Sequence, residues 1–311
     1  MSRSEHPLIW YYEQDRRFAE LMNGWIFRGR EFLSADDFTA ADRRLLVRKG
    51  KNHYQERYRD LCKQIHHAAF RLVTGVEEQG HVHYAMPVRV MDYDSASYAL
   101  QKKAVSSRHA QAKDLRGDEF LSGFAAGDRL LPVVTLVLYC GKRRWDGAKR
   151  LQELLELDGI PQELLAYVAD YRIHVLDVCH TPDRRLREFP PELCAMFLFI
   201  KYREQPQELM RKLSGMEIEE DTLEAVADYV GERRLKQFQP ERKGGRVNVC
   251  KAIDILVADG EKKGEKRGEK RGEKRGFRRG VAQERKKTER ERRRAEQAEA
   301  RVRELERMLV L

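Results

Sequence analysis

The stretch Leu130-Leu-Pro-Val-Val-Thr-Leu-Val-Leu-Tyr139 constrains this chain most. It is almost unbroken apolar and β-branched sequence, bounded by Asp128-Arg129 on one side and Gly141 on the other. A strand with one wet face would alternate. This one does not, so it predicts a strand buried on both faces, the centre of a sheet covered by helices. Tyr171 to Cys179 does alternate and predicts a second strand. Helical spacing predicts helices over Ile9 to Phe27 (apolar Phe18, Leu21, Met22, Trp25, Ile26), Glu192 to Arg203 and Asp221 to Phe238. Trp145-Asp-Gly is a capping turn into a helix carrying Leu151, Leu154, Leu155 and Leu157, and Val247 to Ala258 is the last helix of the body. Strands interleaved with helices predict an α/β fold with a mixed central sheet.

Charge divides the chain. Of 311 residues, 36% are charged, against about 25% in an ordinary soluble domain. Glu261 to Arg307 holds 20 Lys+Arg and 11 Asp+Glu, hence +9 of the whole chain's +10. The basic balance belongs to this tail, and it says nothing about what the body binds. Within it, Gly recurs at 260, 264, 268, 272, 276 and 280. Each Gly costs a helix roughly 1 kcal/mol, and no apolar residue precedes Phe277 to offset it. Residues 260–281 therefore read as a linker. Over 282–311, Ala295, Ala298, Val302, Leu305 and Leu309 form a short a/d seam of about two heptads, which reads as a weak coiled coil that could join copies of the chain or as a single frayed helix. The body divides into 1–190, around the sheet, and a helical part, 191–259. Cys62, Cys140, Cys179, Cys194 and Cys250 form no CxxC pair, which fits a reducing compartment and no zinc ribbon. The N-terminus lacks a signal-type apolar region, and no run is long enough for a membrane span. The expectation is a soluble, cytoplasmic protein.

Two segments carry polar groups into this scaffold. Phe70 to Val76 reads as a strand that delivers Glu77, Glu78 and Gln79 to its own end, followed by a helix from Tyr84 to Gln101. Side chains two apart on a strand share a face, so Glu77 and Gln79 would project together and Glu78 away. Before it, His53 to Val76 supports two readings. Tyr54, Tyr58, Leu61, Ile65, Ala68/Ala69 and Leu72 fit a helical period. The alternative is a hairpin, YRDLCKQI then FRLVTGV, turning near His66 to Ala69 without Gly, Pro, Asn or Asp. Ser34-Ala-Asp-Asp looks like a cap before a short helix through Phe38, Leu45 and Leu46.

The segments FAELMNGWIF (18–27), ERYRD (56–60), GVEEQGHVHYAMPVRVMDYD (75–94) with Tyr98 and Gln101, and EFLSGF…DRLLPVVTLVLYCGKRRWDG (119–147) resemble the Rpn family of recombination-promoting nucleases, also called YhgA-like putative transposases. The resemblance runs in order over about the first 255 residues and leaves out the tail. It implies a PD-(D/E)XK nuclease-like fold and selects the hairpin reading. By the same resemblance, Asp60, Glu77 and Gln79 are the catalytic set, with Gln79 where the superfamily usually has Lys. Asp60, Glu77 and the backbone carbonyl of Glu78 would bind Mg²⁺, with Mn²⁺ as a substitute. Such a metal neutralises charge on a phosphodiester and activates water. Glu78 departs from the Asn usual in relatives.

The function implied is a metal-dependent DNA endonuclease associated with recombination or transposition-like events. The alternative is a weakly active or inactive DNA-binding and assembly module on the same fold. Arg89 and Gln101, on the helix after the triplet, are candidates for substrate contact, whereas Tyr93 and Tyr98 are read as packing of that helix on the sheet. His81 and His83 lack a third and fourth ligand and are read as surface histidines. The basic repeat could hold phosphate backbone or act as a solvated spacer.

Overall fold

The computed structural model describes residues 8–42, 44–48, 54–231, 235 and 245–249, with isolated positions between 254 and 301. Two compact units divide the chain, Met1–Ile253 and Asp254–Leu311. Apart from those isolated positions, the linker over 260–281, the coiled-coil seam over 282–311 and most of the helix expected over 247–258 lie outside the described residues.

The first unit opens with helices α1 (Ile9–Tyr12) and α2 (Asp15–Trp25) and short strands β1 (Phe38–Ala40), β2 (Arg44–Arg48) and β3 (Tyr54–Tyr58). The hairpin β4 (Leu61–His67) and β5 (Phe70–Gln79) follows, then the long helix α3 (Met86–Ala112) and α4 (Gly117–Ser122). Next come β6 (Val133–Tyr139), α5 (Gln162–Leu165), β7 (His174–Asp177) and α6 (Asp183–Leu186). The unit closes with α7 (Pro191–Tyr202), α8 (Pro206–Leu213), β8 (Glu217–Glu219), α9 (Glu220–Val230) and β9 (Arg246–Asn248).

Five strands make the central sheet, in the order β1-β4-β5-β6-β7. The β1, β4 and β5 pairings are antiparallel, and β5, β6 and β7 run parallel, so the sheet is mixed as expected. β6 lies between β5 and β7, and Thr135 to Tyr139 are all buried. One face is covered by α3, whose Met86 and Val90 pack with Val137, Tyr139, Trp145 and Ile173. Burying each such side chain contributes roughly 1.5–3 kcal/mol. The other face meets the N-terminal helices. Thr74 touches the Met22 sulfur, Phe18 stacks edge-on against Phe38, and Tyr12 reaches Met196 of α7. α7 is buried continuously from Glu192 to Ile200.

Residues 61–79 form a hairpin, with Leu61 opposite Val76 and His67 opposite Phe70. The helix-like spacing there has a physical cause. Val73 to Glu78 are six consecutive buried residues, and Leu61, Cys62, Lys63 and Ile65 are buried on β4. Strands covered on both faces lose their alternation.

Several expectations need correction. The single helix over 9–27 is broken, because Gln14 is extended and the buried Lys63 takes the freed carbonyl of Glu13 at 2.7 Å. Ser34 does cap, its N–H donating to Asp37 at 2.7 Å. Only one 3-10 turn follows, since Phe38 is drawn into β1 against Ile65, and Leu45 and Leu46 lie in β2, not in a helix. The helix expected over 151–157 shrinks to one 3-10 turn, because its chain bonds sideways: Leu151 N–H to Tyr171 and Ile173 N–H to Lys149. Val247 lies in β9, paired with Ile218, not in a helix.

Candidate active site

Hairpin register builds the site. Leu61 opposes Val76, so the residue before β4, Asp60, falls beside Glu77 as β5 runs past the end of its partner. Asp60 is 1% exposed, and its Oδ2 accepts the Glu78 N–H at 2.8 Å. A strand residue's N–H and C=O point to the same edge, so the carbonyl of Glu78 also lies on the Asp60 side. Glu77 is 0% exposed and faces α3, where Arg89 Nη2 donates to its Oε2 at 3.1 Å. Alternation turns the Glu78 side chain to the opposite face, where its Oε2 accepts the Leu8 N–H at 3.2 Å. Gln79 ends β5 and returns to the Glu77 face.

The electrostatics follow from burial. Glu77 is raised above the usual carboxylate range, first because it is desolvated and next because Asp60 stands beside it. The charges of Arg89 and Arg59 and the backbone N–H of Asp60 oppose that rise. Burial pushes Glu78 up to about 8, against the Leu8 hydrogen bond. The Arg89 guanidinium lies 5.7 Å from the Tyr93 ring centre and is 30% exposed at its side chain. It meets both the site and solvent.

Do these residues fit a divalent metal? Glu77 Oε1 is buried and has no hydrogen-bond partner among the described residues, an oxygen aimed inward beside a second carboxylate. Leaving such an atom uncompensated costs about 1–3 kcal/mol or more. Two carboxylates and a carbonyl, completed by water, match what Mg²⁺ takes from proteins. Among the described residues no group of three or more His, Cys, Asp or Glu is placed to hold a metal. A metal here would therefore rest on Asp60, Glu77 and the Glu78 carbonyl. His81 is exposed and His83 half-buried, with no cage around them.

A second buried network supports the first. Arg59, adjacent to Asp60, is 3% exposed at its side chain and donates to Asp94 Oδ1. Asp94, on α3, also accepts from Thr135 Oγ1 of β6 at 2.6 Å and from the Tyr171 hydroxyl. Strand β6, the segments leading into β4 and β7, and α3 are thus tied at one carboxylate next to the site. Gly75 makes room for it: a Cβ there would stand 2.6 Å from Arg59 Nη1. The sequence reading assigned no role to Arg59, Asp94, Thr135 or Tyr171. Their available signal was Gly75, an isolated glycine inside a strand, which marks close approach of another group.

Gln101 stands elsewhere. It lies 12 residues beyond Arg89 on α3, about 18 Å along the axis. Both ends of its amide are engaged by Leu131, donating to the carbonyl at 3.2 Å and accepting the N–H at 2.7 Å. In this position the amide clamps the chain entering β6. Tyr93 is buried against Arg59 and Arg89, and the Tyr98 hydroxyl accepts the Val133 N–H at 3.0 Å, so both do join α3 to the sheet.

A family profile described as putative transposase, YhgA-like, matches residues 64–224. That is more than half of the chain. The chain belongs to the YhgA-like putative transposase family. The matched region contains Glu77, Glu78, Gln79, Arg89 and Gln101, and Asp60 lies four residues before it. It also takes in Asp94, Thr135 and Tyr171. No curated protein and no solved structure matches the chain. Among the described residues no helix is long and apolar enough to cross a membrane.

Proposed function

We propose that this family member is a divalent-metal-dependent DNA endonuclease acting in recombination or transposition-like events. One observation carries the reading: the buried Glu77 carboxyl stands beside that of Asp60, and its Oε1 has no hydrogen-bond partner among the described residues. Two neighbouring carboxylates repel each other unless a cation compensates them. Asp60, Glu77 and the Glu78 carbonyl would hold Mg²⁺, with Mn²⁺ as a substitute. When bound, the metal supplies charge neutralisation for the phosphate and a water of lowered pKa. Gln79, on the Glu77 face, offers an amide to orient that water or to contact the phosphate, and cannot serve as a charged base. Arg89 holds Glu77 in place and has enough exposure to meet an incoming phosphate oxygen. The Glu78 amide orients Asp60.

The test is supercoiled-plasmid nicking with Mg²⁺, Mn²⁺ or EDTA. Asp60→Ala and Glu77→Ala should each lower the metal-dependent rate at least about 100-fold while melting cooperatively. Undiminished cleavage by both variants would remove the assignment. A second reading is favoured by Arg89, which already compensates Glu77 at 3.1 Å. On that reading the protein binds DNA at low salt and leaves plasmid intact at every metal concentration.

A further inference from the structure

A second feature lies just past the end of β5. A cavity of about 470 Å³ opens over the carboxyl ends of β5 and β6. That size lies within the range of small-ligand pockets. Its walls include Lys142, Arg143 and Arg203 with Tyr84, Tyr139 and Tyr229, and among the described residues no Asp or Glu lines it. The crevice beyond the carboxyl ends of parallel strands is where open α/β sheets place ligands.

The walls are built to different degrees. Tyr139 donates to the Arg143 carbonyl at 2.7 Å, and Tyr229 donates to the Cys140 carbonyl at 2.8 Å, so two aromatic walls are fixed by the backbone they face. Arg203 donates to the Ile200 carbonyl at 2.8 Å and lies over the Tyr229 ring at 5.8 Å. Lys142 and Arg143 are different. Their side chains are 63% and 69% exposed, and they pair with Glu204 and Asp146, themselves 65% and 45% exposed. Exposed pairs of this kind hold weakly and can be exchanged for a better anion. Gly80, at the mouth, has open space where a side chain would begin.

The geometry points to a phosphate-binding subsite for a DNA strand, with Lys142 and Arg143 exchanging their carboxylates for backbone phosphate. It rests on the DNA reading above and extends it. Gly80 follows Glu77 by three residues, at most about 10 Å of extended chain, so the cavity lies close to the carboxylate pair. Arginine and lysine beside tyrosine rings are the combination that tracks a single strand by charge and stacking.

The experiment measures binding of a fluorescein-labelled single-stranded oligonucleotide to the full chain in EDTA, across a salt series. Without metal there is no cleavage to confuse the readout. Lys142→Met/Arg143→Met should reduce the slope of log affinity against log salt by about 0.7 to 1.4, one or two phosphate contacts. The control is Arg108→Met/Arg129→Met at the far end of α3, where Arg108 lies about 33 Å along the helix from Met86. It removes the same charge and should leave the slope unchanged. An unchanged slope in the Lys142/Arg143 variant, an equal drop in the control, or no binding by the wild type overturns the proposal. If the slopes change as expected while Asp60→Ala and Glu77→Ala both still nick plasmid undiminished, the catalytic assignment fails and the subsite stands.

Discussion

Glu78→Gln isolates a single buried proton. The Glu78 side chain belongs to a residue only 6% exposed, and its carboxyl ionises at about 8 because burial disfavours its charge. Its ordinary value is 4.5. Between those two values the folded chain keeps a proton that the unfolded chain has released. Stability therefore falls as pH rises through that window and levels off above about 8. A gap of roughly 3.5 pH units, at 1.36 kcal/mol per unit, amounts to about 5 kcal/mol as an upper bound. Gln has nearly the same shape, can accept the Leu8 N–H and carries no proton to lose. Glu77 is present in both proteins, so its own titration cancels in the difference. At about pH 5 the two proteins should unfold together. At about pH 8.5 the variant should be more stable by up to about 5 kcal/mol, which for a body of this size is roughly 10–20 °C in melting temperature. The assay is urea and thermal unfolding followed by tryptophan fluorescence over that pH range. Wild-type and variant curves that stay parallel across the series would refute the reasoning. Because Glu78 projects to the face opposite Glu77, plasmid nicking should persist in this variant.

Other substitutions probe the supports. Gly75→Ala places a methyl group 2.6 Å from Arg59 Nη1, and Arg59 is held by Asp94, so it should cost about 1–3 kcal/mol in urea unfolding. Arg17 is fully buried and donates to Asp221 at 2.7 Å and Glu219 at 2.8 Å, so Arg17→Met should destabilise by roughly 3 kcal/mol, read from the same midpoints. His109 bridges Asp114 at 2.7 Å and Asp128 at 2.8 Å, and both hydrogen bonds raise its ionisation. A raised histidine stabilises most below its ordinary 6.5 and loses that contribution as pH climbs through its folded value. His109→Gln should therefore lower the melting temperature more at pH about 5.5 than at pH about 9, and an equal loss at both would exclude the charge-based explanation.

Local sequence determined a definite part of this molecule. The unbroken apolar run before Gly141 could only be a strand covered on both faces, and β6 lies inside the sheet. The alternation of β5 past its partner's end was enough to send Glu77 and Gln79 one way and Glu78 the other. What periodicity could not decide was the hairpin. Burial on both faces removes the alternation by which a strand is recognised, and Ala68-Ala69 carries none of the usual turn residues. Tertiary structure alone decided the rest. The pairing of Leu61 with Val76 sets Asp60 beside Glu77 across 17 positions of chain. Arg59, Asp94, Thr135 and Tyr171 converge from four separate segments, and no local spacing encodes their meeting. Gln101 shows the converse: a polar residue on the same helix, about three turns beyond Arg89, whose amide is spent on the backbone of Leu131. Strand and helix preferences act over a few residues, whereas a buried charge is placed by whichever distant segment can compensate it.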